Sequence, residues 1–287
     1  MELGFVLTAL TAAFFYAMGI VLAPLGLRVA PPIPGASVSV PTSALFFVLI
    51  APFTWDFATY DQTSAIIFFC LGLFFPAAVT LLNFAGNRRL GPNLSGALGN
   101  LTPLFAVALA AVMLSETPGP WQMVGVLAVV GGLLSLAAER ARLHSRAALW
   151  ALGLPLIASV LRGAAQPVAK LGLEGWPDAF AATTLGYVAS ALVLITVKRV
   201  FVPAPLPRDP RLLWYSLTGL CNGLSVVFLY AALSNGPVTV VAPLLATYPL
   251  FVMGLNRLIH QDRTLTRTSF IGITVSVAGI ALVLAAA

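Results

Sequence analysis

The residue with the clearest chemistry in this sequence is Arg162, a permanent charge near the middle of a long apolar stretch. An arginine at the centre of a membrane helix costs at least ~2.5–3.5 kcal/mol on insertion scales, so it is expected to face a cavity or a partner. All nine acids fall at the ends of apolar segments or between them, and none lies at comparable depth. Arg162 is therefore predicted to face water and to receive a negative substrate group such as a carboxylate. Alternatively, it bonds backbone carbonyls or extends toward one interface.

Arg162 belongs to a polar helix face, because Ser159, Arg162, Gln166 and Lys170 are three or four residues apart. Four other apolar segments carry similar faces. Each face alone is explained as well by interhelical hydrogen bonds, but together they indicate a shared aqueous cavity. The predicted binding residues are Arg162 for a carboxylate; Gln166, Asn83, Asn100 and Asn222 for neutral hydrogen bonds; and Tyr16, Tyr230 and Tyr248 for aromatic walls.

Catalytic and metal-binding patterns are not found. His144 and His260 lie in predicted loops without a nucleophile or ligand pattern, and no phosphate-binding Gly-Lys loop is present. The two cysteines, Cys70 and Cys221, are expected to be small buried apolar residues. We expect no enzymatic activity, no metal and no cofactor.

The composition places the chain in a membrane. It is 60% hydrophobic and 8% charged, against about 25% charged in an average soluble domain. With about 20 residues per span, ten transmembrane helices fit. They are predicted at Gly4–Leu25, Val38–Phe53, Ser64–Asn83, Leu94–Leu114, Trp121–Ala138, Trp150–Lys170, Ala179–Val197, Leu212–Leu233, Val238–Leu258 and Ser269–Ala286. The predicted fold class is thus all-α integral membrane.

The landmarks of one stretch recur 145 to 147 residues later. Gly91-Pro92, the Pro-Leu-Phe run at Pro103 and the acid Glu116 return as Gly236-Pro237, Pro249 and Asp262. Such a long period indicates a duplicated half-protein, with halves 1–145 and 146–287. Five spans per half make the second copy enter the membrane from the opposite side, which predicts two inverted repeats.

Corresponding prolines and Gly-Pro pairs are predicted to act as paired gates at the two ends of the cavity. The residues are Gly91, Pro92 and Pro103 in the first half, and Gly236, Pro237 and Pro249 in the second. A proline removes a backbone hydrogen bond and tends to kink its helix. The alternative is a static kink that helps packing.

Orientation follows from loop charges, which also account for the net charge of +6. One face carries Arg28, Arg88, Arg89, Arg140, Arg142, Arg146, Lys198, Arg199, Arg208, Arg211, Arg263 and Arg267. The positive-inside rule makes this face cytoplasmic and puts both termini on the other side.

The run Asn100-Leu101-Thr102-Pro103-Leu104-Phe105 followed by Glu116, with the inverted duplication, resembles the drug/metabolite transporter superfamily and its EamA-domain family. The second copy departs from the family pattern with Asp262 for Glu and Tyr248 for Thr. Within the family the chain looks most like YddG-type amino-acid exporters of bacterial inner membranes. The resemblance implies a central cavity between spans one, three, four, six, eight and nine.

The function expected is export of amino acids, aromatic or neutral ones among them, or of similar metabolites by facilitative alternating access. A drug-cation exporter coupled to protons usually needs a membrane carboxylate, which this chain lacks, although a tyrosine or a water chain is an alternative proton carrier. The partners expected are a small-molecule substrate and the lipid bilayer, with no nucleic acid and no obligate protein partner. The alternatives are export of other metabolites or drugs, or transport of a lipid-linked or phosphorylated sugar.

Overall fold

The computed structural model describes residues 3–141, 149–259 and 267–286, and this part of the chain is helical without a β-strand. The helices are α1 Leu3–Leu27, α2 Pro32–Thr54, α3 Gln62–Gly72, α4 Ala77–Gly99, α5 Thr102–Met113, α6 Pro120–Ala141, α7 Leu149–Gly175, α8 Ala179–Phe201, α9 Leu213–Asn235, α10 Val238–Leu245, α11 Tyr248–Ile259 and α12 Arg267–Ala285. The predicted all-α class is confirmed. His144, His260 and the landmark Asp262 lie outside the described residues.

Seven helical segments of the described chain are long and apolar enough to cross a membrane. They are Gly4–Leu27, Pro32–Thr54, Gln62–Leu90, Trp150–Gly175, Ala179–Phe201, Pro210–Asn235 and Val238–Leu258. Three further helical segments are apolar but shorter: Thr102–Met113, Pro120–Gly132 and Thr274–Ala285. The chain is therefore a multi-pass membrane protein, while the count of ten spans stays a prediction.

Helices α6 and α12 pack against each other through glycines and show how the two halves are related. A Cβ at Gly125 would lie 2.7 Å from the carbonyl oxygen of Gly279, and a Cβ at Gly132 would lie 2.7 Å from that of Gly272. Gly272 and Gly279 are the repeat counterparts of Gly125 and Gly132, so the contact is reciprocal, as across a two-fold axis. Because early residues of α6 meet late residues of α12, equivalent helices run antiparallel and the halves are inverted.

The third span was predicted as one continuous helix, Ser64–Asn83, but the helix is interrupted between Gly72 and Ala77. Pro76 has no N–H and disfavours helix at the residue before it. Ser190 of α8 satisfies the groups that the break exposes: its hydroxyl donates to the Gly72 carbonyl and accepts from the Ala77 N–H at 3.1 Å. A neighbouring helix therefore replaces the missing backbone hydrogen bonds, as irregular backbone at membrane depth requires.

A loop was predicted between spans three and four, but the backbone there is helical, because α4 continues past Gly91 and Pro92. The chain nevertheless turns sharply there. A Cβ at Gly86 would lie 2.8 Å from Ser95 Oγ, although nine residues of straight helix span about 13 Å. The Gly91-Pro92 pair thus falls within a tight reversal between two spans.

Two further helix breaks occupy equivalent places in the two halves. Helix α4 ends at Gly99 and α5 begins at Thr102, while α10 ends at Leu245 and α11 begins at Tyr248. Pro103 and Pro249 are each the second residue of the helix after the break, a position where a missing N–H costs least. Pro155 and Pro167, by contrast, lie inside an uninterrupted α7.

Charged residues separate to two ends of the bundle. The acidic end, defined by Asp56, Asp61, Glu116 and Asp178, is tied by the Asp56 N–H, which donates to Asp178 Oδ2 at 2.9 Å. At this end the pKa of Asp61 is lowered by the N–H of Ser64, which donates to its carboxylate. The opposite, basic end is defined by Arg28, Arg88, Lys198 and Arg211.

The expectation that both cysteines are buried is wrong. Cys70 is exposed and Cys221 is half-buried. Cys70 lies on α3 among exposed apolar residues such as Ile66 and Phe69, so in a membrane this face meets lipid. Periodicity of apolar residues alone does not separate a lipid-facing side from a core-facing side.

Candidate functional site

A cavity of about 110 Å³ lies at the centre of the bundle, with room for roughly eight water molecules. Its walls come from α1, α4, α7, α9 and α10, together with the breaks before α5 and α11. These are the segments expected from the family resemblance. Tyr187 of α8 also lines the cavity, although its span was expected to be apolar scaffold.

Arg162 lines the cavity with its side chain largely buried, at 7% exposure. Its guanidinium carbon lies 4.5 Å from the centre of the Tyr16 ring, and the Tyr16 and Tyr248 rings meet edge to face at 4.7 Å. Within the described ranges no carboxylate pairs with it, and the ion pairs found there are Lys170–Glu116 and Arg211–Asp209. The ring contact contributes about 0.5–2 kcal/mol. No hydrogen bond found among the described residues uses the guanidinium N–H donors, so they are available to a ligand.

The position of Arg162 is set by a close contact of α7 with the start of α5. Gly163 makes this approach possible, because a Cβ there would lie 2.7 Å from the Phe105 Cβ and 2.9 Å from the Ala106 nitrogen. On the same helix Ile157 and Val160 are exposed, whereas Ser159 and Gln166 are buried. The polar face predicted from spacing therefore points into the protein. Ser159, however, donates its hydroxyl proton to the carbonyls of Pro155 and Leu156, so it is satisfied within its own helix.

Asn222 and Asn83 line the cavity as predicted. Asn222 packs against Gly19 of α1, where any Cβ would overlap its amide. Its Oδ1 is buried without a hydrogen-bond partner, and so is the Thr218 hydroxyl one turn earlier on α9. An unpartnered buried acceptor costs about 1–3 kcal/mol until a donor reaches it. This side of the cavity can therefore accept hydrogen bonds from a solute.

Three predicted binding residues lie outside the cavity lining: Asn100, Gln166 and Tyr230 are buried in the surrounding packing. Asn100 occupies the break between α4 and α5, and its Oδ1 has no hydrogen-bond partner. Both amide atoms of Gln166 are likewise buried and unpartnered. These residues are buried outside the lining, because a buried helix face meets neighbouring helices as well as the cavity. Their direct contacts with a substrate stay a prediction.

The predicted gating residues are distributed over both ends. Pro103 lines the cavity, and Pro249 follows Tyr248 at the start of α11. At the acidic end, Pro237 precedes the first residue of α10, and the Gly236 carbonyl accepts a 2.6 Å hydrogen bond from Lys170. Gly91 and Pro92 fall in the reversal within α4. Their role as gates stays a prediction.

Several cavity residues were not predicted, notably Gly19, Tyr187, Thr218 and Ser225. Gly19 and Tyr187 gave no periodic polar signal. Thr218 lies four residues before the predicted Asn222 on the same helix, so it was within reach of a search for polar residues at helical spacing. The Ser225 hydroxyl donates to the Ala12 carbonyl at 2.7 Å and thus joins α9 to α1.

Comparison with known proteins agrees with this architecture. The sequence model of the EamA-like transporter family matches residues 3–138 and 147–285. One solved structure, described only as the crystal structure of a protein, is similar with a TM-score of 0.80 and 15% identity, covering 99% of this chain and 98% of its own. At this identity the likeness shows the fold alone. No curated protein matches the chain.

Proposed function

Since the chain belongs to the EamA-like transporter family, whose members are membrane transporters and not enzymes, we propose that it exports amino acids or similar small metabolites. The observation that carries this substrate class is Arg162, a buried cation in the central cavity without a carboxylate partner in the described chain. A guanidinium binds a carboxylate through two parallel hydrogen bonds, which makes arginine well suited to this group.

The part of the cavity wall formed by α9 supports a zwitterionic solute. Asn222 and Thr218 on α9 have buried oxygen atoms that lack a donor, and an ammonium group supplies up to three. A cavity with a cationic donor on α7 and neutral acceptors on α9 is complementary to an α-amino acid. The rings of Tyr16 and Tyr248 provide an apolar, aromatic wall beside the carboxylate position.

The transport mechanism proposed is facilitative alternating access across a bacterial inner membrane. It is supported by the two equivalent helix breaks, Asn100–Leu101 and Ala246–Thr247, because residues beside each break line the cavity in inverted halves. A broken helix bends at low cost, so bending at Pro103 and Pro249 is the proposed way for each half to close one end. The concentration gradient of the solute supplies the driving force.

The test of substrate class is uptake of a panel of labelled amino acids into proteoliposomes. Purified wild type, Arg162→Ala and Arg162→Lys are compared, with Arg211→Ala at the exposed basic end as a matched control. We expect transport by wild type and by the control, loss in Arg162→Ala, and partial recovery in Arg162→Lys. Equal rates in wild type and Arg162→Ala would remove the carboxylate role. If wild type transports no amino acid, the proposed substrate class is wrong. Drugs and phosphorylated or lipid-linked sugars are then the compounds to test.

The proposed orientation places the basic end in the cytoplasm and both termini on the periplasmic side. It rests on the positive-inside rule. A C-terminal reporter that is active only in the cytoplasm is expected to stay silent, while the same reporter inserted between Val202 and Arg208, at the basic end, is expected to be active. A strong signal from the C-terminal fusion contradicts the orientation.

A further inference from the structure

A three-part polar contact closes the bundle beyond the cavity, on the side of the acidic end. Lys170 Nζ lies 3.3 Å from Glu116 Oε1 and donates to the Gly236 carbonyl at 2.6 Å. The other oxygen of the same carboxylate, Glu116 Oε2, accepts from the backbone N–H of Thr239 at 3.1 Å. One contact thus joins the segment after α5, the last turns of α7 and the first turn of α10.

This contact lies beyond the acidic-end limit of the cavity lining, and none of its residues lines the cavity. The cavity extends toward the basic end past Asn87 and Ser95, but on α7 its lining stops at Arg162. The next residues on the same face are Gln166, at 1% exposure, and Lys170, about 12 Å from Arg162 along the helix. Thr239 of α10 is buried at this level as well.

Gln166 is the unexplained group on this path. Both of its amide atoms are buried without a hydrogen-bond partner, a cost of about 1–3 kcal/mol per group in a packed interior. It lies between the two cations of α7, one turn from each. A buried amide with free donor and acceptor, placed between two anion-binding side chains, is suited to a passing polar solute rather than to the static packing around it.

We propose that Lys170 is a second carboxylate-binding position, on the route from Arg162 to the acidic end, and that Glu116 occupies it in the closed state. A solute carboxylate that leaves Arg162 passes Gln166 and displaces Glu116 from Lys170. The displacement frees Thr239 and the start of α10, and the acidic end opens. Closure is thus competitive, since the protein's own carboxylate and the solute's carboxylate bind the same ammonium group.

The basic end has no counterpart of this cation. The repeat offset of 146 residues places Pro24 of α1 opposite Lys170. A proline side chain binds no carboxylate, so this position of α1 cannot hold an acid as Lys170 does. We therefore assign the competitive closure to the acidic end, which gives a symmetric fold a directional gate.

The inference rests on the proposed function for the nature of the solute, but closure is measured without transport. The probe is Thr239→Cys with Cys70 and Cys221 replaced by serine, labelled with a charged methanethiosulfonate in detergent. We expect slow labelling in this parent and about tenfold faster labelling after Glu116→Ala or Lys170→Met. Asn87→Cys at the basic end of the cavity is the control, because Glu116→Ala is expected to leave its labelling unchanged. Equal labelling of Thr239→Cys with and without Glu116 overturns the closure.

Carboxylate binding at Lys170 is tested by refilling the position that Glu116 vacates. A ligand that binds the folded state raises its melting temperature. Sodium acetate, compared with sodium chloride at equal concentration, is expected to raise the melting temperature of Glu116→Ala by several degrees. It is expected to leave Glu116→Ala with Lys170→Met unchanged. An equal rise in both variants, or no rise in either, overturns the Lys170 position. If the wild type fails to transport amino acids, the proposed solute is wrong, but the expected results of the labelling and melting experiments stay the same.

Discussion

Arg162 and Lys170 are two cations on one face of one helix, and their surroundings are opposite. Arg162 lies against an aromatic ring in a cavity without a carboxylate partner among the described residues. Lys170 is held between Glu116 and a backbone carbonyl. The unpaired cation is available for a ligand, whereas the paired cation holds three helices together. The comparison shows that spacing on a helix does not set the role of a charge; the element opposite each residue does.

The largest effect is expected from neutralising Arg162 with an unbranched side chain. Arg162→Met removes charge-assisted hydrogen bonds worth about 1.5–3 kcal/mol, so binding of a carboxylate solute should fall roughly ten- to a hundredfold. Equilibrium binding of a labelled amino acid to the purified protein measures this. Lys170→Met should lower that affinity less, because Glu116 occupies the Lys170 position in the closed state. An equal loss in both variants would erase the distinction between the two cations.

The two substitutions should also differ in stability: Lys170→Met should lower it, whereas Arg162→Met should not. Lys170→Met leaves the Glu116 carboxylate without its cation at 15% side-chain exposure, so we expect a loss of about 2 kcal/mol. Arg162→Met removes an unpaired buried charge and should leave the melting temperature unchanged or raised. Thermal unfolding in detergent, followed by tryptophan fluorescence, gives both values. A large loss for Arg162→Met would show that its charge is satisfied in the folded protein.

A smaller effect is expected at the glycine that brings α5 against Arg162. Gly163→Ala places a Cβ against Phe105 and the Ala106 nitrogen, and such overpacking costs about 1–3 kcal/mol. A Cβ at Gly153, on the same helix, would have nothing within 4 Å, so Gly153→Ala should be neutral or slightly stabilising. The two melting temperatures, measured side by side, separate the close approach from helix propensity. Equal shifts would mean that α5 moves aside.

The smallest effect is expected at a third cation, Arg211, which is paired on the surface. Its side chain is hydrogen-bonded to Asp209, and this contact holds the pKa of Asp209 below its ordinary value. Because the folded pKa is depressed, the contribution is present above the unfolded pKa of about 3.9 and is lost as pH falls through the folded pKa. The difference in melting temperature between wild type and Asp209→Asn should therefore be constant from neutral pH to about 5 and should shrink below pH 5. A difference that already changes with pH near neutrality would contradict the lowered pKa.

Much of the fold was predictable because it depends on composition and on duplicated landmarks. The low charge content required a membrane. The recurrence of Gly-Pro and Pro-Leu-Phe indicated two repeats and lies beside the equivalent helix breaks at Asn100 and Ala246. The break before Ala77 was not predictable in the same way, because its stability comes from Ser190, more than a hundred residues away. Helix boundaries depend on such partners.

The site was predictable in part for a related reason. Periodicity correctly placed Arg162, Asn83 and Asn222 on the cavity, but it could not separate them from Gln166 and Asn100, which are buried outside its lining. Glu116 was recognised as a repeat landmark, yet its contact with Lys170 is long-range and left no local signal. A single sequence shows which side of a helix is polar and does not show what stands across from it.

The reciprocal glycine contact between α6 and α12 also bears on how a chain of this kind can arise. Gly125 meets Gly279 as Gly132 meets Gly272, and each glycine of one half occupies the place that its copy occupies in the other. Two separate copies of a single half, inserted in opposite orientations, would form this same contact as an antiparallel homodimer. Gene fusion then needs no new interface at the axis, and the two halves are free to diverge elsewhere, as Lys170 and Pro24 have done.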